Sequence, residues 1–250
     1  MAAPRFFIPA ALTRDAIGRT IELPAAVAHH AVRVIRLAVG DGLTLFDGTG
    51  GEYSATLLRI ERKDVGVRIE SFDAVERESR LSVTLAQAIA ANDAMDYAVR
   101  KSVELGATAL QPLVTERSAP LPSGERRDKR LAHWKGIAVA ACEQCGRNRI
   151  PPVSTPAPWN EWLASWKGAG IVLVPGAAHS LAALPRPSAP IALAIGPEGG
   201  FTPRETEMLR RPAFVTPLSL GPFVLRAETD AASGQALLLG MGWAEYDPST

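Results

Sequence analysis

Residues 191–205 have the sequence Ile191-Ala-Leu-Ala-Ile-Gly-Pro-Glu-Gly-Gly-Phe-Thr-Pro-Arg-Glu205. The first five residues form a continuous apolar run, which is typical of a parallel strand buried on both faces. A glycine-rich loop follows, and Thr202-Pro-Arg-Glu205 predicts a capping box with proline at the first helical position. A strand, a glycine loop and a helix start in this order predict a ligand-binding turn at the carboxyl end of the strand.

The glycine loop favours a ligand other than phosphate. Gly196, Gly199 and Gly200 allow the backbone to approach a ligand closely. A helix start after glycines often binds phosphate. However, Glu198 lies in the same loop, and a carboxylate about 4 Å from a phosphate repels it by about 4 kcal/mol at an effective dielectric constant of about 20. A cationic ligand, or one bound through its base and ribose, fits better; the alternative is a capped turn without a ligand.

The chain around this turn alternates between strand and helix patterns. Predicted strands are residues 81–88, 108–114, 171–174 and 191–195. Predicted helices are residues 92–105, capped by Asn92 or Asp93 and ended by Gly106, then 123–145 and 228–245. This alternation predicts an α/β fold with a parallel sheet.

The first 70 residues have a different pattern. Alternating segments at 42–46, 52–58 and 65–69 predict short strands of a small barrel, with one helix at 29–37. Asp47-Gly-Thr-Gly-Gly51 resembles the glycine motif of Rossmann-type methyltransferases, but a β pattern follows it, so a hairpin is predicted. The polar stretch 73–80 is the predicted domain boundary.

Composition excludes several classes of protein. The 250 residues include 47% hydrophobic and 21% charged residues with a net charge of +1, which excludes a disordered chain and a histone-like nucleic-acid binder. No apolar run approaches the roughly 18 residues of a membrane span, and the start is too short and proline-broken for a signal peptide. Two cysteines, Cys142 and Cys145, make no disulfide framework or zinc site. We expect a cytoplasmic protein without a metal.

Two further stretches contain candidate functional groups. Arg226, Glu228 and Thr229 lie at a predicted helix start, where the arginine either holds an anion or base edge, or forms a surface ion pair with the glutamate. Residues 116–149 contain eight Arg or Lys against four acids, interrupted by aromatic and amide side chains. This stretch is either a solvated face or an RNA-facing surface.

Several motifs in order resemble one family. The motifs are Val103-Glu-Leu-Gly106, Thr115-Glu-Arg-Ser118, Glu143-Gln144 with Arg147, Ile195-Gly-Pro-Glu-Gly-Gly-Phe201, Leu220-Gly221 and Val224-Leu-Arg-Ala-Glu-Thr229, with His30-Ala-Val-Arg-Val-Ile-Arg36 and Phe46-Asp-Gly48 near the start. Together they resemble the SPOUT-class 16S ribosomal RNA uridine N3-methyltransferases, which modify uridine 1498 of the small subunit. The resemblance covers about residues 5–240.

The resemblance implies a fold, a cofactor and partners. It implies a PUA-like, RNA-binding β-barrel over 1–72 and a trefoil-knotted α/β methyltransferase domain over 78–250, which dimerises and acts on 16S rRNA in the 30S subunit. The implied cofactor is S-adenosyl-L-methionine (SAM), held by three loops. The implied cofactor-binding residues are Leu173, Pro175, Gly196, Glu198, Gly200, Leu218, Ser219, Leu220, Gly221, Phe223 and Leu225.

Catalytic and RNA-binding residues follow from the same resemblance. Transfer of a methyl group to uracil N3 requires loss of the N3 proton, for which Glu228 and Glu198 are candidate bases beside Arg226 and Thr229. The expected RNA-binding residues are Arg5, Arg33, Arg36, Arg117, Arg147 and Arg149. The sequence departs from the family pattern in having Phe223 for Arg, Asp230 for Ala, and Ala94 for a basic residue.

Two other functions fit these residues. One is another SPOUT RNA methyltransferase with a tRNA target. The other is a catalytically inactive RNA-binding factor for ribosome assembly.

Overall fold

The computed structural model describes residues 3–61, 64–79, 81–177, 179–180, 190–209 and 215–243. The chain divides into two compact units. The first unit contains residues 1–78 and also residues 142–150, and the second contains residues 79–141 and 151–250. The predicted division into domains 1–72 and 78–250 stays a prediction.

The first unit is built on a five-stranded sheet with the order β1-β3-β4-β5-β2. Its strands are β1 (Arg5–Phe7), β2 (Thr20–Glu22), β3 (Gly42–Phe46), β4 (Glu52–Glu61) and β5 (Asp64–Asp73). β1 pairs with β3 in parallel, and the other pairs are antiparallel. The three predicted strands are therefore β3, β4 and β5, and alternate side chains of β4 and β5 form the buried core with Leu43 and Leu45.

The predicted hairpin after β3 is confirmed. Its glycines adopt positive φ angles of 85° at Gly48, 113° at Gly50 and 69° at Gly51. A Cβ atom on Gly51 would lie 2.4 Å from a ring carbon of Phe72, so only glycine fits there.

The helix predicted at 29–37 has different bounds. The structure has a short α-helix, α1 (Ala25–His29), followed by a π-helical turn at His30–Val34. The segment ends at Arg36, which has a φ of 66°. Three large apolar residues around this end, Val34, Ile35 and Val39, are exposed to solvent.

The second unit has an all-parallel sheet of seven strands, in the order β10-β12-β9-β11-β6-β7-β8. The strands are β6 (Val83–Ala88), β7 (Ala109–Val114), β8 (Ala157–Pro158), β9 (Ala169–Leu173), β10 (His179–Ser180), β11 (Ile191–Ile195) and β12 (Val215–Ser219). All five residues of the central strand β11 are buried, as the apolar run predicts. The α/β class with a parallel sheet is confirmed.

Helices connect these strands. They are α2 (Asn92–Glu104), α3 (Glu125–Cys145), α4 (Trp159–Ser165), α5 (Pro203–Met208) and α6 (Ala227–Trp243). α4 and the strands β8, β10 and β12 were not predicted, and the prediction for residues 244–245 lies outside the described residues. Within the described part of the chain, no helix is long and apolar enough to cross a membrane.

Candidate functional site: a cavity at the carboxyl ends of parallel strands

A cavity of about 1070 Å³ lies in the second unit, where β6, β9 and β11 end. The strand order changes direction around β11, and ligands of open α/β sheets bind at such points. Four segments line the cavity: the start of α2, residues 173–175, the glycine loop 196–201, and residues 224–230 at the start of α6. The site predicted from residues 191–205 is therefore part of a larger concave site.

Hydrogen bonds hold the glycine loop in a fixed shape. Gly200, with a φ of 66°, donates its N–H to the Pro197 carbonyl at 2.8 Å. Arg117 donates to the Gly199 carbonyl at 2.7 Å, and its side chain would contact a Cβ atom on Gly199 at 3.2 Å. Glycine at 199 therefore allows the arginine to lie across the loop.

Glu205 fixes the far end of this loop. Its buried carboxylate accepts hydrogen bonds from the Thr202 N–H at 2.9 Å and the Thr202 hydroxyl at 3.2 Å, and Thr202 Oγ1 accepts the Glu205 N–H at 3.3 Å. The predicted capping box at α5 is therefore confirmed. The same carboxylate also accepts the Glu116 N–H at 2.8 Å, which connects α5 to the segment after β7.

Glu198 connects the glycine loop to α2. Its Oε1 accepts a hydrogen bond of 2.8 Å from the N–H of Ala91, which is the N-cap residue of α2. The prediction that the side chain of Asn92 or Asp93 caps this helix is wrong, since both residues lie inside its first turn and the cap acceptor comes from a distant loop. A carboxylate at a helix N-terminus is also stabilised by the helix dipole.

The loops after β9 and β12 enclose a second, much smaller cavity. It shares Leu173, Val174, Pro175, Leu225 and Asp230 with the large one. Most predicted cofactor-binding residues line one or both cavities: Leu173, Pro175, Gly196, Glu198, Gly200, Leu218, Ser219, Leu220, Phe223 and Leu225. Gly221, with a φ of 132°, lies in the same loop but lines neither cavity.

The structure brings the four predicted catalytic residues to the large cavity. Arg226, just before α6, and Glu228 and Thr229, in its first turn, line the cavity together with Glu198 of the glycine loop. Arg226 and Thr229 are exposed, and Glu228 is half-buried. A guanidinium and two carboxylates that line the same cavity can bind a polar base and move a proton.

The predicted RNA-binding arginines have varied surroundings. Arg33 and Arg36 are exposed in the first unit. Arg149 is 55% exposed and paired with Glu76 at 2.6 Å. Arg5 and Arg147 are mostly buried, where Arg5 pairs with Glu52 at 2.5 Å and Arg147 pairs with Glu78. These buried ion pairs favour a structural role for Arg5 and Arg147. Arg117 is in the second unit, where it lies across the glycine loop.

Sequence reasoning noted Ala94 as a departure from the family pattern but placed no residue of α2 in the cofactor-binding or catalytic site. Asp93, Ala94 and Tyr97 line the large cavity together with Asp230. The sequence did contain a signal for this contribution. The predicted strand 81–88 ends just before α2, and neighbouring parallel strands end at the same edge of the sheet, so the start of α2 is expected near the glycine loop. No cluster of metal-ligating side chains occurs among the described residues.

An open parallel sheet with this cavity defines an α/β enzyme-like domain, and sequence comparison gives the class. Residues 77–238 match the RNA methyltransferase domain family, and residues 23–70 match the RNA methyltransferase PUA domain family. The chain is 32% identical over 232 residues to ribosomal RNA small subunit methyltransferase E of Buchnera aphidicola, covering 90% of this chain and 91% of that protein. It is 34% identical to the Synechocystis protein of the same name, and the match covers 85% of this chain and 70% of that protein. The chain therefore belongs to the ribosomal RNA small subunit methyltransferase E family.

Solved structures show the same fold. A Legionella pneumophila methyltransferase in complex with bound SAM superimposes with a TM-score of 0.91 at 36% identity, covering 96% of this chain and 98% of that one. The Neisseria gonorrhoeae ribosomal RNA small subunit methyltransferase E, bound to SAM, gives 0.88 at 35% identity with the same coverage. Both neighbours hold the cofactor that the sequence motifs predict.

Proposed function

We propose that this chain binds SAM and transfers its methyl group to N3 of a uridine in 16S rRNA, at position 1498. The observation that carries the proposal is the cavity of about 1070 Å³ at the carboxyl ends of the strands, with its acidic lining. SAM is a cationic ligand with a base and a ribose, so its chemistry fits the cavity better than that of a free phosphate would.

The loops that form the two cavities would hold the donor. Leu173, Pro175 and Leu225 offer apolar contacts for adenine. The glycine loop offers backbone groups, and the space beside Gly200 is free of other atoms. When bound there, SAM supplies an electrophilic methyl group. The trefoil knot and the homodimer of the family pattern are part of the same proposal.

Arg226 and Glu228 would act on the uracil. The exposed guanidinium of Arg226 can donate to a uracil oxygen on which negative charge grows as N3 loses its proton. Glu228 is the better candidate acceptor for that proton, because the Glu198 carboxylate already accepts the Ala91 N–H. The exposed Thr229 lies beside them as a hydrogen-bonding group.

RNA binding would use exposed cations outside the cavity. Arg33 and Arg36 have accessible guanidinium groups, and the pair of Arg149 with Glu76 is solvent-exposed and therefore weak. The cytoplasmic 30S subunit, or its 16S rRNA, is the proposed partner.

Mass spectrometry of nucleosides from 16S rRNA tests the proposal. In a strain that lacks the gene, we expect the 3-methyluridine at position 1498 to be absent and to return when the wild-type gene is restored. Persistence of that nucleoside, or loss of a methylated tRNA nucleoside instead, would contradict the proposal. Calorimetry with SAM distinguishes an inactive assembly factor, which would show no binding heat.

A further inference from the structure

Asp230 lies where the two cavities meet. It belongs to the first turn of α6, and it lines both the large cavity and the small one. Residues 173–175 and Leu225 surround the same junction. A ligand that extends from the apolar loops toward the start of α6 would therefore pass the Asp230 side chain.

The Asp230 carboxylate has no hydrogen-bond or ion-pair partner among the described residues. Burial away from solvent raises its pKa from 3.8 to about 6. The pKa of Asp230 is therefore higher in the folded state than in the unfolded state. Its ionisation begins to lower the free energy of unfolding once the pH rises above about 4, and the decrease is complete above about 6. An unpaired carboxylate that costs stability at a cavity junction indicates a ligand that compensates its charge.

The charge of the surrounding wall is also negative. Among the described residues that line the large cavity, the charged or titratable side chains are Asp93, Tyr97, Glu198, Arg226, Glu228 and Asp230. Four carboxylates therefore face one guanidinium. Only Asp230 of these carboxylates also lines the small cavity.

We propose that Asp230 is a specificity-determining residue, whose carboxylate binds the cationic sulfonium side of SAM and favours the charged donor over S-adenosylhomocysteine. This inference rests on the proposed donor. Methyl transfer breaks the bond between sulfur and the methyl carbon, forms a bond between that carbon and N3 of the uracil, and leaves a neutral thioether. The attraction to Asp230 is therefore lost with the reaction, which favours release of the product.

Calorimetric affinities of the Asp230→Asn variant test the proposal. The amide has nearly the same shape but no charge. We expect SAM to bind about tenfold more weakly, as one charge pair across a partly solvated cavity implies, while the affinity for S-adenosylhomocysteine changes less than about threefold. In the wild type, SAM affinity should fall between about pH 8 and about pH 5, and the variant should lack most of this change.

Asp128→Asn is the matched control. It removes the same charge from an exposed position on α3, and its donor affinity should equal that of the wild type. Without ligand, Asp230→Asn should melt at a higher temperature than the wild type at about pH 8, which shows that the variant folds. Unchanged SAM affinity, or equal losses for SAM and S-adenosylhomocysteine, would overturn the role of Asp230. Failure of the wild type to bind either compound would instead overturn the proposed function.

Discussion

Replacement of Glu205 with alanine removes the carboxylate that connects α5 to the segment after β7. The wild-type side chain is 4% exposed and accepts hydrogen bonds from the Thr202 N–H, the Thr202 hydroxyl and the Glu116 N–H. Hydrogen bonds to a charged group contribute about 1.5–3 kcal/mol each. The sum over these three hydrogen bonds is therefore an upper limit on the unfolding free energy that the substitution can remove. A cavity of about 420 Å³ adjoins Glu205, so water can replace part of the loss.

We expect Glu205→Ala to lower the free energy of unfolding by about 3 kcal/mol. For a chain of this size, that corresponds to a decrease of about 6–12 °C in the melting temperature. Thermal and urea denaturation, followed by circular dichroism, measure both quantities.

Glu116→Ala is the control for this experiment. The Glu116 side chain is exposed, and its contribution to Glu205 comes from the backbone N–H, which alanine retains. The control should melt like the wild type. If Glu205→Ala melts within about 2 °C of the control, Glu205 does not anchor the loop as its contacts indicate.

Three further predictions concern catalysis, acid stability and the hairpin. Arg226→Ala should reduce methylation of 30S subunits at least about tenfold while calorimetric SAM affinity persists, and full turnover would remove Arg226 from the mechanism. Burial raises the pKa of Glu52, but hydrogen bonds from Arg77 and Arg5 outweigh it and hold the pKa at about 2. The stability that the ionised Glu52 contributes should therefore be lost as the pH falls from about 4.5 toward about 2. In denaturant titrations, Glu52→Gln should lower the free energy of unfolding by about 2 kcal/mol at pH 7 but by little at pH 2. An equal decrease at both pH values would refute this. Gly51→Ala should cost more than about 2 kcal/mol, because the new Cβ would overlap Phe72 at a positive φ, whereas a fully stable variant would show that the hairpin can shift.

Local patterns account for the parts of the structure that could be predicted from the sequence. The capping box at Thr202 and Glu205 spans three residues, and the apolar run of β11 is continuous, so both are visible in a short window. The hairpin after β3 is local in the same way. These short-range features placed the glycine loop and the helix start at the correct end of a buried strand.

Long-range contacts account for what could not be predicted. The cap of α2 comes from Glu198, 107 residues away from Ala91, and the contact of Arg117 with Gly199 spans 82 residues. No local pattern indicates that residues 142–150 cluster with the first unit. Asp230 was visible only as a departure from the family pattern, and its position between two cavities required the fold.

A crystal structure of this chain with SAM is the most direct test of the account. We predict electron density for the donor between residues 173–175, the glycine loop 196–200 and the loop at residues 218–225, with its sulfonium side toward Asp230. Density for the donor at any other place on the chain, with these loops empty, would contradict the account.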